Sequence, residues 1–221
     1  MDLTTVDKLL TTTRTVRRRL DFDRPVEPEI IQQCLEIAIQ APTGGNTQGW
    51  HFLVVTDAEK KAQIGELYRE SFAIYARERL EQPLPNGGRT DSDKEQSARV
   101  AKSAVYLANR MGQVPLMILS CIHGRVEELG PMAQASLYGS ILPAAWSLML
   151  ALRARGLGSA WTSLHLRYEK EVAEILGIPE SVTQAALLPV ASYSGEDFQP
   201  SKRTPASAVT SWNTWELNTD Y

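Results

Sequence analysis

Two clusters of basic residues have the spacing and the chemistry to hold an anionic ligand. Arg14-Thr15-Val16-Arg17-Arg18-Arg19 places four arginines within six residues, and Lys202-Arg203 forms a second cluster near the C-terminus. Like charges at this density repel unless acids or anions neutralise them, and the planar guanidinium group matches phosphate and carboxylate. If both clusters reach one phosphate, each charge-assisted hydrogen bond contributes on the order of 1.5–3 kcal/mol. The alternative for the first cluster is a solvated basic face that pairs with Asp21 and Asp23.

A glycine-bearing polar loop is the next candidate site. Its residues, Thr43-Gly44-Gly45-Asn46-Thr47-Gln48, follow Pro42 at the end of an apolar helix pattern and precede the apolar strand pattern of Trp50 to Val55. Glycine permits backbone conformations that a side chain forbids, and it lets a ligand approach the main chain. The amides of Asn46 and Gln48 add hydrogen-bond donors and acceptors. The pattern indicates either a ligand-binding loop or an ordinary helix-to-strand turn.

Centres that catalyse through protein groups have no signature in this sequence. It contains no GxSxG, HExxH, CxxC or Walker loop, and no GxGxxG that follows a strand. The three histidines, His51, His123 and His165, are far apart, so their spacing predicts no metal site. A bound anionic cofactor therefore explains the basic clusters and the polar loop better than a side-chain nucleophile or a metal ion does.

The bulk composition is that of an ordinary globular domain. The chain has 221 residues, of which 43% are hydrophobic and 22% charged, and its net charge is −3. This balance gives no general electrostatic attraction to nucleic acid or to anionic membranes. Cys34 and Cys121 lie in apolar patterns and are expected to be buried thiols. The N-terminus, MDLTTVDKLL, does not resemble a signal peptide, and we expect a cytoplasmic protein.

The longest uncharged run, Leu129 to Leu152, has the length of a membrane span. It nevertheless contains polar and helix-breaking residues, namely Gln134, Ser136, Gly139, Ser140, Pro143 and Ser147. This composition favours a helix that is buried on most sides, in a core or between subunits, over a membrane span. Pro143 is expected to kink the helix or to divide it.

Helix and strand patterns alternate along the chain without repeats or linkers, and they predict a single α+β domain with a small mixed sheet surrounded by helices. The predicted helices cover about 6–13, 27–38, 58–79, 94–109, 131–152 and 168–176, and the predicted strands cover 50–55, 114–122, 157–163 and 185–193. The polar segment 83–93 is either a lid over a site or a surface excursion. The aromatic tail from about residue 206 is expected to pack as an arm on the chain or on a partner subunit.

The order of these features resembles the FMN-dependent nitroreductase family. The matching segments are VRRRLDF with the RPV that follows, CLEIAIQAPTGGNTQGWHFLVV, LMLALRARGLGSAW, EILGIPE, and a Lys-Arg-x-Pro tail followed by Trp-Asn. They extend from about Arg14 to Asn213, and AP-x-x-x-N-x-Q-x-W is the most specific of them. The sequence departs from the family at Trp146-Ser147, where members often have Gln-Asn. This departure bears on one polar contact near the flavin and on the choice of substrate.

The resemblance implies an FMN site that draws on three regions of the chain. The phosphate and ribityl chain would be held by the basic residues Arg14, Arg17, Arg18, Arg19, Lys202 and Arg203. The flavin ring would lie along the loop residues Pro42, Thr43, Gly44, Asn46 and Gln48, and near a strand end formed by Trp161, Thr162 and Ser163. The resemblance also implies an intertwined homodimer with two FMN sites at the subunit interface.

The same resemblance implies an NAD(P)H oxidoreductase that works by two half-reactions. NADPH or NADH gives a hydride to FMN and leaves, and a small electron-poor acceptor, such as a nitroaromatic or a quinone, then takes the reducing equivalents. Two alternatives keep the flavin: a dehalogenase or desaturase of the same fold, and a flavin-binding protein without turnover. Nucleic-acid binding through the arginine cluster is disfavoured by the net charge.

Overall fold

The computed structural model describes residues 1–81, 91–195 and 198–215. The chain divides into two compact units, residues 13–195 and residues 1–12 with 196–221. In chain order the helices are α1 (Leu3–Thr12), α2 (Pro28–Ala38), α3 (Ala58–Glu81), α4 (Asp91–Arg110), α5 (Pro131–Ala154) and α6 (Glu169–Leu176). The strands are β1 (Leu20–Asp21), β2 (Trp50–Val55), β3 (Leu116–His123), β4 (Leu157–Ser159) and β5 (Val182–Tyr193).

The larger unit contains a small sheet with the strand order β1-β5-β3-β2, and β4 also pairs with β5. Every pairing between these strands is antiparallel. The α+β prediction is therefore confirmed, whereas the sheet formed by the described strands is antiparallel rather than mixed. Antiparallel pairing follows from the connections, because helices and loops return the chain to a neighbouring strand in the opposite direction.

The centre of the sheet is buried on both faces, as the continuous apolar patterns of β3 and β5 predict. The core cluster joins Ile118 of β3 and Leu188 of β5 to Leu148 and Leu152 of α5 and to Cys34 of α2. Cys34 and Cys121 are free, buried thiols, which confirms the prediction. Burial raises the pKa of both thiols, that of Cys121 to about 12, so neither is a ready nucleophile.

Helix α5 runs without interruption from Pro131 to Ala154, so Pro143 does not divide it, and the alternative expectation of a kink stays a prediction. Proline removes one backbone hydrogen bond of the helix, but Ala144 and Ala145 are buried directly after it and pack the helix in place. The helix is long and apolar enough to cross a membrane by length and composition alone. Its second half belongs instead to the core cluster of the sheet, as expected for a helix buried in a protein core.

Two predicted boundaries differ from the observed ones next to candidate site residues. Strand β4 ends at Ser159, although a strand was predicted to extend to residue 163. Beyond that point the backbone still pairs locally, because Thr162 forms an isolated antiparallel bridge with Leu187. Helix α4 begins at Asp91, so residues 91–93 of the predicted lid segment are helical. Residues 83–90 of that segment lie outside the described residues.

In the smaller unit, α1 begins three residues earlier than predicted because Asp2 caps it. The backbone N–H groups of Thr4 and Thr5 donate to the Asp2 carboxylate at 3.2 and 3.3 Å. The C-terminal segment contains a short 3-10 helix, Ala206–Val209, followed by the exposed Trp212 and Trp215. The packing of this segment as an arm on a partner subunit stays a prediction.

Candidate functional site

The loop after α2 has an unusual backbone conformation. Gly45, Asn46 and Gln48 have φ values of 59°, 53° and 49°, in the left-handed region that non-glycine residues seldom occupy. Hydrogen bonds within the loop support this conformation: the Gln48 N–H donates to Thr43 Oγ1 at 3.2 Å, and Gln48 Nε2 donates to Asn46 Oδ1 at 3.2 Å. Strained conformations of this kind cluster at ligand-binding sites. The conformation therefore favours a binding loop over an ordinary turn.

Helix α5 contacts this loop directly. The N–H of Gly44 donates to Ser140 Oγ at 3.0 Å, and Ser140 Oγ donates to the Ser136 carbonyl at 2.8 Å. A Cβ atom at position 44 would lie 2.7 Å from Ser136 Oγ, closer than non-bonded atoms pack. A side chain at position 44 therefore requires Ser136 Oγ or the loop to move. The sequence shows these two serines only as polar residues of an apolar helix, and nothing in their spacing pointed to the loop.

Two arginines of the cluster, Arg17 and Arg19, contact different elements of the larger unit. Val16 of the cluster has a buried side chain, and its N–H donates to the Ser159 carbonyl at 2.8 Å, next to the end of β4. Arg17 is half-buried and donates to Ser103 Oγ of α4 at 3.4 Å. Arg19 donates through Nε to the Ser194 carbonyl at 2.6 Å and lies over the Tyr193 ring, 5.3 Å from its centroid. Arg14 and Arg18 are exposed.

Arg17 belongs to a polar cluster that also contains the third predicted region. Burial raises the pKa of Tyr68 on α3 to about 12, although the nearby charge of Arg17 and a hydrogen bond with Thr162 act in the opposite direction. Thr162 is buried and donates to the Leu187 carbonyl at 2.8 Å. The same burial lowers the pKa of Arg17, which remains protonated at neutral pH. The structure thus brings Arg17 and Thr162 together through Tyr68, which lies in the predicted helix 58–79 and was not among the candidate site residues.

The residues on either side of Thr162 have different environments. Trp161 is half-buried and packs against the core cluster, whereas Ser163 is exposed. Lys202 and Arg203 lie in the smaller unit and are exposed. Their contact with the phosphate that the arginine cluster would hold stays a prediction.

The histidines do not form a metal site. Trp50 of β2 is paired with Ile122 of β3, so His51 and His123 lie at the same end of two neighbouring strands, and both are exposed. Within the described residues, no group of three or more His, Cys, Asp or Glu side chains is placed to bind a metal ion. His165 is fully buried, and neither ring nitrogen has a hydrogen-bond partner among the described residues.

The residues of the larger unit fit an anionic cofactor with a flat ring. The loop provides the exposed glycines Gly44 and Gly45, together with the exposed amides of Asn46 and Gln48. The arginine segment provides fixed positive charge, because Arg17 and Arg19 are each tied to a neighbouring element. Backbone surface, amides and charge are what a flavin nucleotide requires.

Comparison with known proteins assigns the chain to a family. The model of the Nitroreductase family matches residues 10–191, and the chain therefore belongs to this family. Members are oxidoreductases, so the protein is an enzyme of that general class. The described residues have the fold of solved nitroreductase structures.

Relatives within the family carry different activities in their names. The chain is 29% identical over 202 residues to an iodotyrosine deiodinase of Thermotoga neapolitana, which covers 89% of this chain and 90% of the relative. It is 28% identical over 214 residues to an NADH dehydrogenase of Thermus thermophilus, covering 90% and 91%. Among solved structures, the FMN-dependent nitroreductase NfnB from Mycobacterium smegmatis in complex with NADPH superposes with a TM-score of 0.67, 21% identity, and coverage of 96% and 100%. This last likeness concerns the fold.

Proposed function

We propose that the protein is an FMN-dependent NAD(P)H oxidoreductase that reduces small electron-poor acceptors such as nitroaromatics or quinones. The observation that carries the proposal is the strained, exposed loop at residues 43–48, held against α5 in a chain of the Nitroreductase family. The structural neighbour NfnB, an FMN-dependent nitroreductase in complex with NADPH, supports both the cofactor and the reductant.

The residues divide between binding the phosphate and orienting the ring. Arg14, Arg17, Arg18 and Arg19, with Lys202 and Arg203 from the smaller unit, are proposed to hold the phosphate and the ribityl chain. Pro42, Thr43, Gly44, Asn46 and Gln48 are proposed to lie along the ring, with Trp161, Thr162 and Ser163 near its edge. FMN, when bound, supplies the chemistry, because its ring accepts a hydride from NADPH or NADH and passes the reducing equivalents to the acceptor.

The proposed contribution of the protein is orientation and electrostatics. Fixed cations close to the bound cofactor would stabilise the negative charge that develops on the ring when it is reduced. No side chain of the loop is needed as an obligatory acid or base, and Asn46 and Gln48 act as neutral hydrogen-bonding groups. The exposure of the loop leaves room for a flat acceptor above it.

The proposed assembly is a homodimer in the cytoplasm, without nucleic acid or membrane partners. The first half of α5 is uncharged and partly exposed; Met132 in its first turn is 86% exposed, and Leu129 just before the helix is 52% exposed. An exposed apolar surface of this kind is typical of a protein interface. The aromatic tail, with Trp212 and Trp215 exposed, is proposed to pack on the second subunit.

A reductive dehalogenase is the second candidate, because a relative that covers 89% of this chain is an iodotyrosine deiodinase. The same cofactor and the same loop would serve, and the acceptor would be a halogenated aromatic compound. A desaturase of the same fold and a flavin-binding protein without turnover are the remaining alternatives from the sequence.

The absorption spectrum of the purified protein tests the proposal. We expect yellow protein with stoichiometric FMN, loss of the flavin absorption on anaerobic titration with NADPH or NADH, and its return when a nitroaromatic or quinone is added. Return only with halogenated tyrosine or phenols would favour the dehalogenase. Protein that contains no flavin after isolation and takes up none from solution would overturn the proposal. A flavin that neither nicotinamide reduces would indicate a binding protein.

A further inference from the structure

We propose that Ser140 of α5 is a positioning residue that sets the conformation of the flavin-binding loop. This inference rests on the proposed function, since it concerns how the loop is prepared for FMN. The contact that carries it is the hydrogen bond from the Gly44 N–H to Ser140 Oγ, at 3.0 Å, between residues that are 96 positions apart in the sequence.

Hydrogen bonds within the loop set its local shape, whereas a contact with α5 fixes its position relative to the rest of the protein. The N–H groups of Asn46 and Thr47 donate to the carbonyls of Thr43 and Gly44 at 3.0 and 3.2 Å. These bonds are local and set only the shape of the turn. The bond to Ser140 joins the turn to α5, a helix whose second half is packed in the core. Its loss would leave the local turn intact but free to shift relative to the sheet.

The hydrogen-bonding state of Ser140 is determined by its surroundings. A serine hydroxyl has one proton, and Ser140 Oγ donates it to the Ser136 carbonyl at 2.8 Å. Its lone pairs are therefore directed to accept from Gly44. The Ser140 residue is only 3% exposed, so water does not compete strongly for this acceptor.

The bond also determines which loop groups remain for the cofactor. Because the N–H of Gly44 points into α5, it does not point at a ligand on the exposed side of the loop. Asn46 and Gln48 are exposed, and their side-chain amides are then the polar groups of the loop that remain for a ligand. Ser140 thus determines which polar groups of the loop are available to the flavin, without contacting the flavin itself.

The test compares three serine variants of the full-length protein in the flavin-bound and flavin-free forms. Ser140→Ala removes the acceptor, Ser140→Thr keeps a hydroxyl at the same position, and Ser71→Ala is the matched control. Ser71 is also a fully buried helical serine, and its hydroxyl has no partner among the described residues. The readouts are the Kd for FMN, measured by quenching of flavin fluorescence, the amide hydrogen exchange of residues 41–49, and Tm.

We expect Ser140→Ala to raise the Kd for FMN about tenfold, the effect of losing one buried hydrogen bond from an aligned site. Exchange of the loop amides should become faster in the flavin-free protein, and Ser140→Thr should restore both properties. Ser71→Ala should leave the Kd and the loop exchange unchanged, whatever its effect on Tm.

Failure of the Ser140 inference and failure of the proposed function give different results. If wild-type protein binds FMN and Ser140→Ala binds it equally well, with unchanged loop exchange, the role of Ser140 is wrong and the proposed function stands. If wild-type protein binds no FMN, the proposed function fails, and with it the role of Ser140 toward the cofactor. A loss of FMN affinity in Ser71→Ala equal to that in Ser140→Ala would show a general packing effect and would also overturn the inference.

Discussion

At the scale of single residues, Gly44 shows how closely the loop approaches α5. A methyl group at this position would lie 2.7 Å from Ser136 Oγ and 3.7 Å from Ser140 Oγ. Gly44 needs no positive φ, so its requirement is one of space rather than of backbone freedom. Gly45, by contrast, has a φ of 59° and is favoured for its conformation.

We expect Gly44→Ala to lower the free energy of unfolding by about 1–3 kcal/mol, because the new methyl group forces Ser136 or the loop to move. Ser136→Ala removes the obstructing hydroxyl and should recover most of this loss in the double variant. Urea unfolding of the two single variants and the double variant measures the coupling between the sites. Simple additivity of the two changes would contradict the proposed contact.

The buried His165 is expected to make the free energy of unfolding depend on pH. Burial lowers its pKa from 6.5 to about 4, although Glu169 acts to raise it. Below pH 6.5 the unfolded chain binds a proton that the folded protein excludes. The free energy of unfolding should therefore fall as the pH drops from 6.5 to 4, by about 3 kcal/mol in total, and the effect should level off below pH 4.

His165→Leu should flatten this part of the stability profile, because the leucine side chain does not titrate. Urea unfolding at intervals between pH 7 and pH 4 provides the measurement. His51→Gln, at an exposed histidine, serves as the control and should leave the slope as in wild type. An unchanged slope in His165→Leu would show that other groups cause the acid sensitivity.

At the scale of elements, the position of the arginine segment is set by its close packing against β4. The Val16 N–H donates to the Ser159 carbonyl, and a Cβ atom at Gly158 would lie 3.1 Å from Val16 Cβ and 3.0 Å from Leu20 Cδ2. The glycine of this strand therefore allows the segment that carries Arg17 and Arg19 to lie against the sheet.

We expect Gly158→Ala to lower the free energy of unfolding by about 1–3 kcal/mol, since both neighbouring side chains are buried and cannot move away freely. The displaced segment should also bind the phosphate of FMN more weakly. Gly130→Ala is the matched control, because no atom lies within 4 Å of a Cβ at that position. Chemical unfolding and FMN titration measure the two effects, and wild-type stability in Gly158→Ala would refute the close packing.

At the scale of the whole molecule, α5 combines a core helix with an exposed apolar surface. We expect sedimentation to give twice the 24.5 kDa chain mass, as a homodimer requires. Met132→Glu should shift the protein toward the monomer, because a charge would be buried at the proposed interface. Val100→Glu, at an exposed apolar residue of α4, is the control. A dimer that survives Met132→Glu unchanged would place the interface elsewhere.

Much of the fold could be predicted from the sequence, because helices and strands are indicated by the pattern of apolar residues within short segments. The periods of the apolar residues identified the helices and the strands β2, β3 and β5, and the apolar settings of Cys34 and Cys121 predicted their burial. The end of β4 and the start of α1 were missed, because strand pairing at Thr162 and capping by Asp2 depend on contacts that periodicity does not show.

The sequence by itself determined the fold class, the family, and the residue types of the candidate site, because hydrophobic period and ordered motifs are properties of neighbouring residues. Only the tertiary structure decided that Ser140 holds Gly44, that Tyr68 joins Arg17 to Thr162, and that Arg17 and Arg19 face different elements. These contacts join residues far apart in the chain, and their existence depends on how helices pack on the sheet. The spacing of residues in the sequence does not predict how the helices pack on the sheet.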